Sequence, residues 1–171
     1  TITLTKDGTA ASPITWNTSG SVVIDGARIA GDGMTYNVIS GFRVMNTSYG
    51  ISLQNSSDNN TLTSNKLYSN SSNGIYFFDG DNNVVKSNEV FSNGGYGMRL
   101  EGLAQYNSVI SNTVYANNNY GIYILSSNLN MILSSNTIYS NNSYGMRVKS
   151  SSNHSVIANT IYSNTSYGIT A

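Results

Sequence analysis

A single motif returns at a fixed interval along this chain, and few folds can absorb such a period. It reads Asn65-Lys-Leu-Tyr-Ser-Asn-Ser-Ser-Asn-Gly-Ile-Tyr-Phe77, then Asn88-Glu-Val-Phe-Ser-Asn-Gly-Gly-Tyr-Gly-Met-Arg-Leu100, then Asn112-Thr-Val-Tyr-Ala-Asn-Asn-Asn-Tyr-Gly-Ile-Tyr-Ile124. It continues as Asn136-Thr-Ile-Tyr-Ser-Asn-Asn-Ser-Tyr-Gly-Met-Arg-Val148 and closes as Asn159-Thr-Ile-Tyr-Ser-Asn-Thr-Ser-Tyr-Gly-Ile169. The glycines at 50, 74, 97, 121, 145 and 168 step by 24, 23, 24, 24 and 23 residues, and the leading asparagines keep the same step. Such a period means stacked units, each burying its apolar face against the next.

Composition alone would mislead. Asn (26) and Ser (28) make up about a third of the 171 residues, which is the signature of a disordered tract. The regular spacing of Ile, Val, Leu, Met and Tyr argues against disorder. Eight Lys+Arg balance eight Asp+Glu. Nucleic-acid binding needs a clustered basic surface that displaces counterions, and this chain has none. No apolar run is long enough for a membrane-spanning helix. With no Cys, neither disulfides nor thiolate metal sites are available. No secretory signal is visible, so the sequence reads as a mature protein or an excised piece.

Within each repeat, three short apolar pairs alternate with polar residues. The first follows the glycine (Ile51/Leu53, Ile75/Phe77, Met98/Leu100, Ile122/Ile124, Met146/Val148). The second lies three residues before the leading Asn (Leu62, Val85, Val109, Leu133, Val156), and the third two residues after it (Leu67, Val90, Val114, Ile138, Ile161). Alternation over three to five residues is strand period, and Gly and Asn at this density would cost a helix too much. Three strands per 23–24 residues can pair with the same strands of the next repeat, giving a solenoid with parallel sheets. The expectation is one all-β domain of about seven coils. Residues 1–35 form irregular first coils and 36–171 regular repeats. In the first copy Gly41 stands where later copies have Asn, so Phe42 and Val44 shift the alternation by one.

The pattern Asn-x-Ile-x-x-Asn-x-Ile-x-x-Asn-x-x-x-Gly-Ile-x-Leu over residues 36–171 resembles right-handed parallel β-helix repeats. The nearest are the periplasmic copper-site maturation family and the related carbohydrate-binding and sugar-hydrolase repeats. The opening Gly8-Thr-Ala-Ala-Ser-Pro-Ile-Thr-Trp16 and Val22-Val-Ile-Asp-Gly26 are similar, more weakly, to the first coils of polysaccharide lyases. The resemblance implies the fold. It brings no copper ligands, since the chain has no Cys and no Met–His arrangement.

Stacking the coils about 4.8 Å apart turns columns of sequence into ladders. Asn65, Asn88, Asn112, Asn136 and Asn159 become an amide ladder at a corner, where Asn tolerates left-handed backbone and both donates and accepts. Asn46, Asn70, Asn93, Asn117, Asn141 and Asn164 would make a second ladder. His154 falls in a slot held elsewhere by Asn60, Asn83 and Asn107. Tyrosines before the glycine (Tyr49, Tyr96, Tyr120, Tyr144, Tyr167) and aromatics after the Asn (Tyr68, Phe91, Tyr115, Tyr139, Tyr162) read as corner-packing stacks.

Two constellations carry possible chemistry. Two residues past each glycine, an outward column alternates Tyr76, Arg99, Tyr123 and Arg147, with Glu101 beside it. Guanidinium groups over rings suit sugar rings, with apolar faces and hydroxyls, and equally suit a self-stabilising surface ladder. Asp58 and Asp81 share a slot on adjacent coils with Asp79 close by. Oxygen ligands in such a cluster suit calcium, and a solvated turn explains them as well. No general acid and base can be named.

The reading is therefore a non-catalytic structural or adhesive β-solenoid, extracellular or on a prokaryotic cell surface, or periplasmic. The alternatives are a carbohydrate-binding module on the Tyr/Arg face, or part of a polysaccharide lyase or hydrolase. Neither end offers a capping helix, and open strand edges recruit other strands. The coils are thus expected to continue into neighbouring sequence or to meet another copy head to tail as a fibre.

Overall fold

The computed structural model describes residues 1–125, 130–149 and 153–170. All its regular elements are strands, and every pairing between them is parallel, apart from an isolated antiparallel bridge between Thr9 and Ser12. The strands stack as a parallel β-solenoid. Eight of them, one per level and about seven turns in all, form the sheet that follows each glycine. Its successive members are Ile2–Thr3, Ile29–Asp32, Ile51–Gln54, Ile75–Phe78, Met98–Glu101, Ile122–Leu125, Met146–Lys149 and Ile169–Thr170. The other two columns meet in one sheet because the long strand Asn37–Met45 pairs with Thr61–Thr63 through one half and with Lys66–Tyr68 through the other.

The three expected apolar columns form the core. Ile51, Ile75, Met98, Ile122 and Met146 are wholly buried, as are Leu62, Val85, Val109 and Leu133, and Leu67, Val90, Val114 and Ile138. Each strand exposes its polar neighbours on the outer side, which is the period-two pattern the sequence announced. At the top level the columns come into the open: Val156, Ile157, Tyr162, Tyr167 and Ile169 are exposed.

Both main asparagine ladders exist, and they run inside the coil. Asn65, Asn88, Asn112 and Asn136 are buried, and the backbone N–H of each donates to the side-chain oxygen of the Asn one level above, up to Asn159, at 2.9–3.0 Å. Each Nδ2 donates in turn to a backbone carbonyl, as Asn112 does to Val85. The left-handed conformation does not belong to these asparagines. It is taken by the residue before each one: Ser64, Ser87, Ser111, Ser135 and Ala158, with φ of 54–57°. That residue makes the corner, at about 1–2 kcal/mol, and turns the Asn side chain inward where it satisfies backbone groups.

Two register expectations are corrected. Phe42 N–H donates to Asn65 Oδ1, so Phe42 occupies the Asn slot and Gly41, with φ of 80°, occupies the Ser64 slot. Val44 then pairs with Leu67 without any shift of alternation. Likewise Thr47, not Asn46, donates to Asn70 Oδ1, so Asn46 sits at the corner with φ of 55° and lies outside the second ladder. The aromatics after the Asn are not corner residues either. Tyr68, Phe91, Tyr115, Tyr139 and Tyr162 lie on the outer face of short strands and stack with centroids 4.8–5.1 Å apart and planes within 2–4°.

Candidate functional site

The outer face of the glycine sheet gathers the chain's most interactive side chains. Cα register places Ser52, Tyr76, Arg99, Tyr123, Arg147 and Thr170 in one column, as the repeat implies. The tyrosines before the glycines lean onto that column rather than packing in corners. Asn73 breaks their series, and Tyr76 turns down onto Tyr49, with centroids 5.2 Å apart and planes at 20°. Arg99 lies 5.8 Å from the Tyr76 ring and 5.4 Å from the Tyr96 ring. Arg147 lies 5.6 Å from Tyr120 and 5.4 Å from Tyr144, and its Nη1 donates to Tyr120 Oη at 2.8 Å.

Glu101 ties the lower part together. Tyr76 Oη donates to Glu101 Oε1 at 2.6 Å, and Arg99 Nε donates to Oε2 at 3.0 Å. Burial, followed by the hydrogen bond to Glu101, pushes the Tyr76 hydroxyl well above its ordinary range, so it stays a donor. Tyr123 sits beneath the others, 8% exposed, against Tyr96 and Tyr120 at 5.2 and 5.1 Å. It supports the surface, and burial raises its hydroxyl too. The face open to a partner is thus Tyr76, Arg99, Glu101 and Arg147 together with Tyr96, Tyr120 and Tyr144, whose contribution could be read from their position one residue before each glycine.

The three aspartates have backbone partners. Asp58 Oδ1 accepts from Asp81 N–H, Asp81 Oδ1 from Gln105 N–H and Asp79 Oδ1 from Leu103 N–H, each at 2.7 Å. They pin each turn to the next level. Among the described residues, no three His, Cys, Asp or Glu side chains converge on a common point.

His154 does occupy the asparagine slot, accepting the N–H of Met131 through Nδ1 at 3.3 Å, while its Nε2 is buried without a partner. Burial lowers its basicity below the ordinary 6.5. A group whose folded pKa is depressed takes up its proton more readily in the unfolded chain, so stability is full above about 6.5 and falls as pH drops through that value toward the folded pKa. The melting temperature should therefore fall between neutral pH and pH 5, and His154→Asn, restoring the residue of the lower levels, should flatten that part of the profile.

A hollow of about 400 Å³ lies elsewhere, over Arg43, Lys66 and Glu89 beside the flat ring ladder. Two of its charges are already engaged: Lys66 pairs with Glu89 at 3.0 Å and lies 5.0 Å from the Phe91 ring.

Stacked parallel coils with internal asparagine ladders define a protein of the parallel β-helix class. Residues 3–170 match the family described as "Periplasmic copper-binding protein (NosD)", and the chain belongs to that family. No curated protein sequence matches. Among solved structures, a variant of the periplasmic alginate epimerase AlgG is similar at 20% identity and a TM-score of 0.67, over 91% of this chain and 42% of that one. The tailspike protein of Dettilon (gp208) is similar at 20% identity and a TM-score of 0.67, over 88% of this chain and 40% of that one. An alginate lyase from Paenibacillus sp. is similar at 15% identity and a TM-score of 0.58, over 96% of this chain and 86% of that one. At these identities the likeness is one of fold. The chain spans less than half the length of the epimerase and tailspike chains.

Proposed function

We propose that this chain is a non-catalytic β-solenoid scaffold of the periplasm or cell exterior whose glycine-sheet face adheres to polysaccharide. The observation behind this is the continuous band of rings and guanidinium groups from Tyr76 to Arg147, with Arg99 and Arg147 each lying over two rings. Ring edges and faces offer apolar contact for sugar CH groups, and the cations offer donors to hydroxyls. A catalytic reading has less support. Glu101, the carboxylate within this band, is held by both Tyr76 and Arg99, and among the described residues no cluster of three His, Asp or Glu includes it.

The family description names copper, two of the similar solved structures are named for alginate and one as a tailspike, which is said of those proteins. The residues here do not fit a copper site. The sequence has a single His and no Cys, Met34, Met98 and Met146 are buried in the core, and Met131, one level below His154, engages it through its backbone N–H, so no set of thiolates and imidazoles is available. The reading also covers the exposed top level, where Ile157, Tyr167 and Ile169 await burial. A further coil of the same repeat, from a longer chain or a second copy, is the occupant that fits that edge.

Polysaccharide retention tests the main reading. Electrophoresis of the protein through gels containing soluble acidic and neutral polysaccharides should show retardation by at least one. The double variant Arg99→Ala/Arg147→Ala should lose it at least tenfold with its melting temperature little changed, since both side chains lie on the surface. No retardation of the wild-type protein by any polysaccharide would overturn it.

A further inference from the structure

The outward column of the glycine sheet changes character halfway along. From Tyr76 to Arg147 it carries large side chains, whereas the three levels below carry Thr3, Ala30 and Ser52. Small side chains on three consecutive levels leave a hollow of about 220 Å³ over them. Tyr76 leaning down on Tyr49 stands at its upper side. Its rim is polar. Arg28 and Asp32 lie at the two ends of the strand Ile29–Asp32, about 13 Å apart at about 3.3 Å per residue, with Gln54 beside Asp32 on the next level.

Arg28 is the informative residue. Its Nε is shut off from solvent and has no hydrogen-bond partner in the protein. Buried donors in folded proteins are almost always satisfied, and each exception needs a reason. The guanidinium is held against Tyr49, with Cζ 5.9 Å from the ring centroid, so the group is positioned rather than loose. Across the hollow the polar groups have partners: Gln54 Nε2 donates to Ser52 Oγ at 3.0 Å, and Asp32 Oδ1 accepts from Asn55 Nδ2 at 2.8 Å.

We infer that this hollow is a binding subsite for one acidic sugar unit, with Arg28 receiving the carboxylate and the Asp32–Gln54 end receiving hydroxyls. The polarity fixes the orientation. A guanidinium fork pairs with a carboxylate through charge-assisted hydrogen bonds, whereas Asp32 repels a carboxylate and accepts from hydroxyls. The volume is below the 300–1,000 Å³ or so of drug-sized pockets, which suits a single ring. A neutral sugar would offer the Arg28 guanidinium only uncharged, weaker acceptors. The inference rests on the adhesive reading of the same sheet face and adds to it a site, a direction and a charge preference.

Titration calorimetry with a uronic-acid trisaccharide and with a neutral glucose trisaccharide tests it. The wild-type protein should bind the acidic trisaccharide at least about tenfold more tightly than the neutral one. Arg28→Gln should abolish that preference, and Ala30→Leu, which fills the floor while keeping Arg28, should weaken both ligands. Circular dichroism melts of each variant establish that the fold is kept. Equal affinity for the two trisaccharides, or a preference that survives Arg28→Gln, would overturn the inference. If Arg99→Ala/Arg147→Ala alone removes binding, the adhesive face stands and this subsite falls.

Discussion

Asn112→Leu is expected to lower the stability of the chain by about 2–5 kcal/mol, as read from urea unfolding midpoints. The side chain is wholly enclosed and makes four hydrogen bonds. Its Oδ1 accepts Asn88 N–H at 2.9 Å and Asn88 Nδ2 at 3.0 Å, and its Nδ2 donates to the Val85 carbonyl at 2.9 Å and to Asn136 Oδ1 at 3.0 Å. Leucine fills a similar volume and makes none of these. Asn88 Nδ2 keeps its bonds to the Leu62 and Lys86 carbonyls, and Asn136 Oδ1 keeps the backbone N–H of residue 112. The Asn88 N–H is left orphaned inside the coil, at about 1–3 kcal/mol to bury unpaired, and the Val85 carbonyl, which stays within the parallel pairing of Val84–Lys86 with Ser108–Ile110, loses a further donor. Asn118→Leu is the control. Its Oδ1 accepts from Asn142 Nδ2 at an exposed position, so the change should stay within about 0.5 kcal/mol. Equal losses for the two variants would mean that the internal ladder contributes nothing particular.

The periodic part of this architecture was legible because identical slots repeat. Any one of Leu62, Val85, Val109 and Leu133 is ambiguous, and four at a constant interval are a buried column. Errors arose where the repeat is imperfect. At Gly41-Phe42 and at Asn46-Thr47 the residue types suggested one alignment, and the hydrogen bonds to Asn65 and Asn70 set another, one residue along. Side-chain identity was the weaker guide there, because the left-handed corner accepts Gly, Ser, Ala or Asn alike. The site was only half visible. The outward column from Tyr76 to Arg147 follows from parity alone. That Tyr123 lies under its neighbours, and that Asn73 lets Tyr76 fold onto Tyr49, depends on how rings of unequal size lean between levels. The Arg28 hollow carried no motif at all. It arises because three small outward residues coincide before the repeat becomes regular.

Gly121→Ala is expected to cost about 2–3 kcal/mol, although glycine is nowhere near a left-handed conformation at this position. The cause is contact between coils. A Cβ there would lie 2.5 Å from Ile138 Cγ2, 2.6 Å from the Gly145 carbonyl oxygen and 2.8 Å from Asn141 Nδ2. That carbonyl accepts the Ile122 N–H at 3.0 Å, so it cannot move aside without opening the sheet. Gly74, Gly97 and Gly145 meet the same three kinds of atom, which explains why the column is glycine at every level from Gly50 upward. Gly168 differs. A Cβ there meets nothing closer than Ile161 Cγ2 at 3.6 Å, so Gly168→Ala should leave the melting temperature unchanged or raise it slightly. A second copy seated on Gly168 would bring a backbone carbonyl, that of Thr1 in the same column, to the position that Gly145 holds over Gly121, and the added methyl would block it. Light scattering of the 171-residue chain should accordingly show mass rising above 18.4 kDa with concentration, and Gly168→Ala should hold it at that value. A wild-type chain that keeps the single-chain mass at every concentration would overturn end-to-end stacking by this chain, while the cost of Gly121→Ala would still measure how closely its own coils approach.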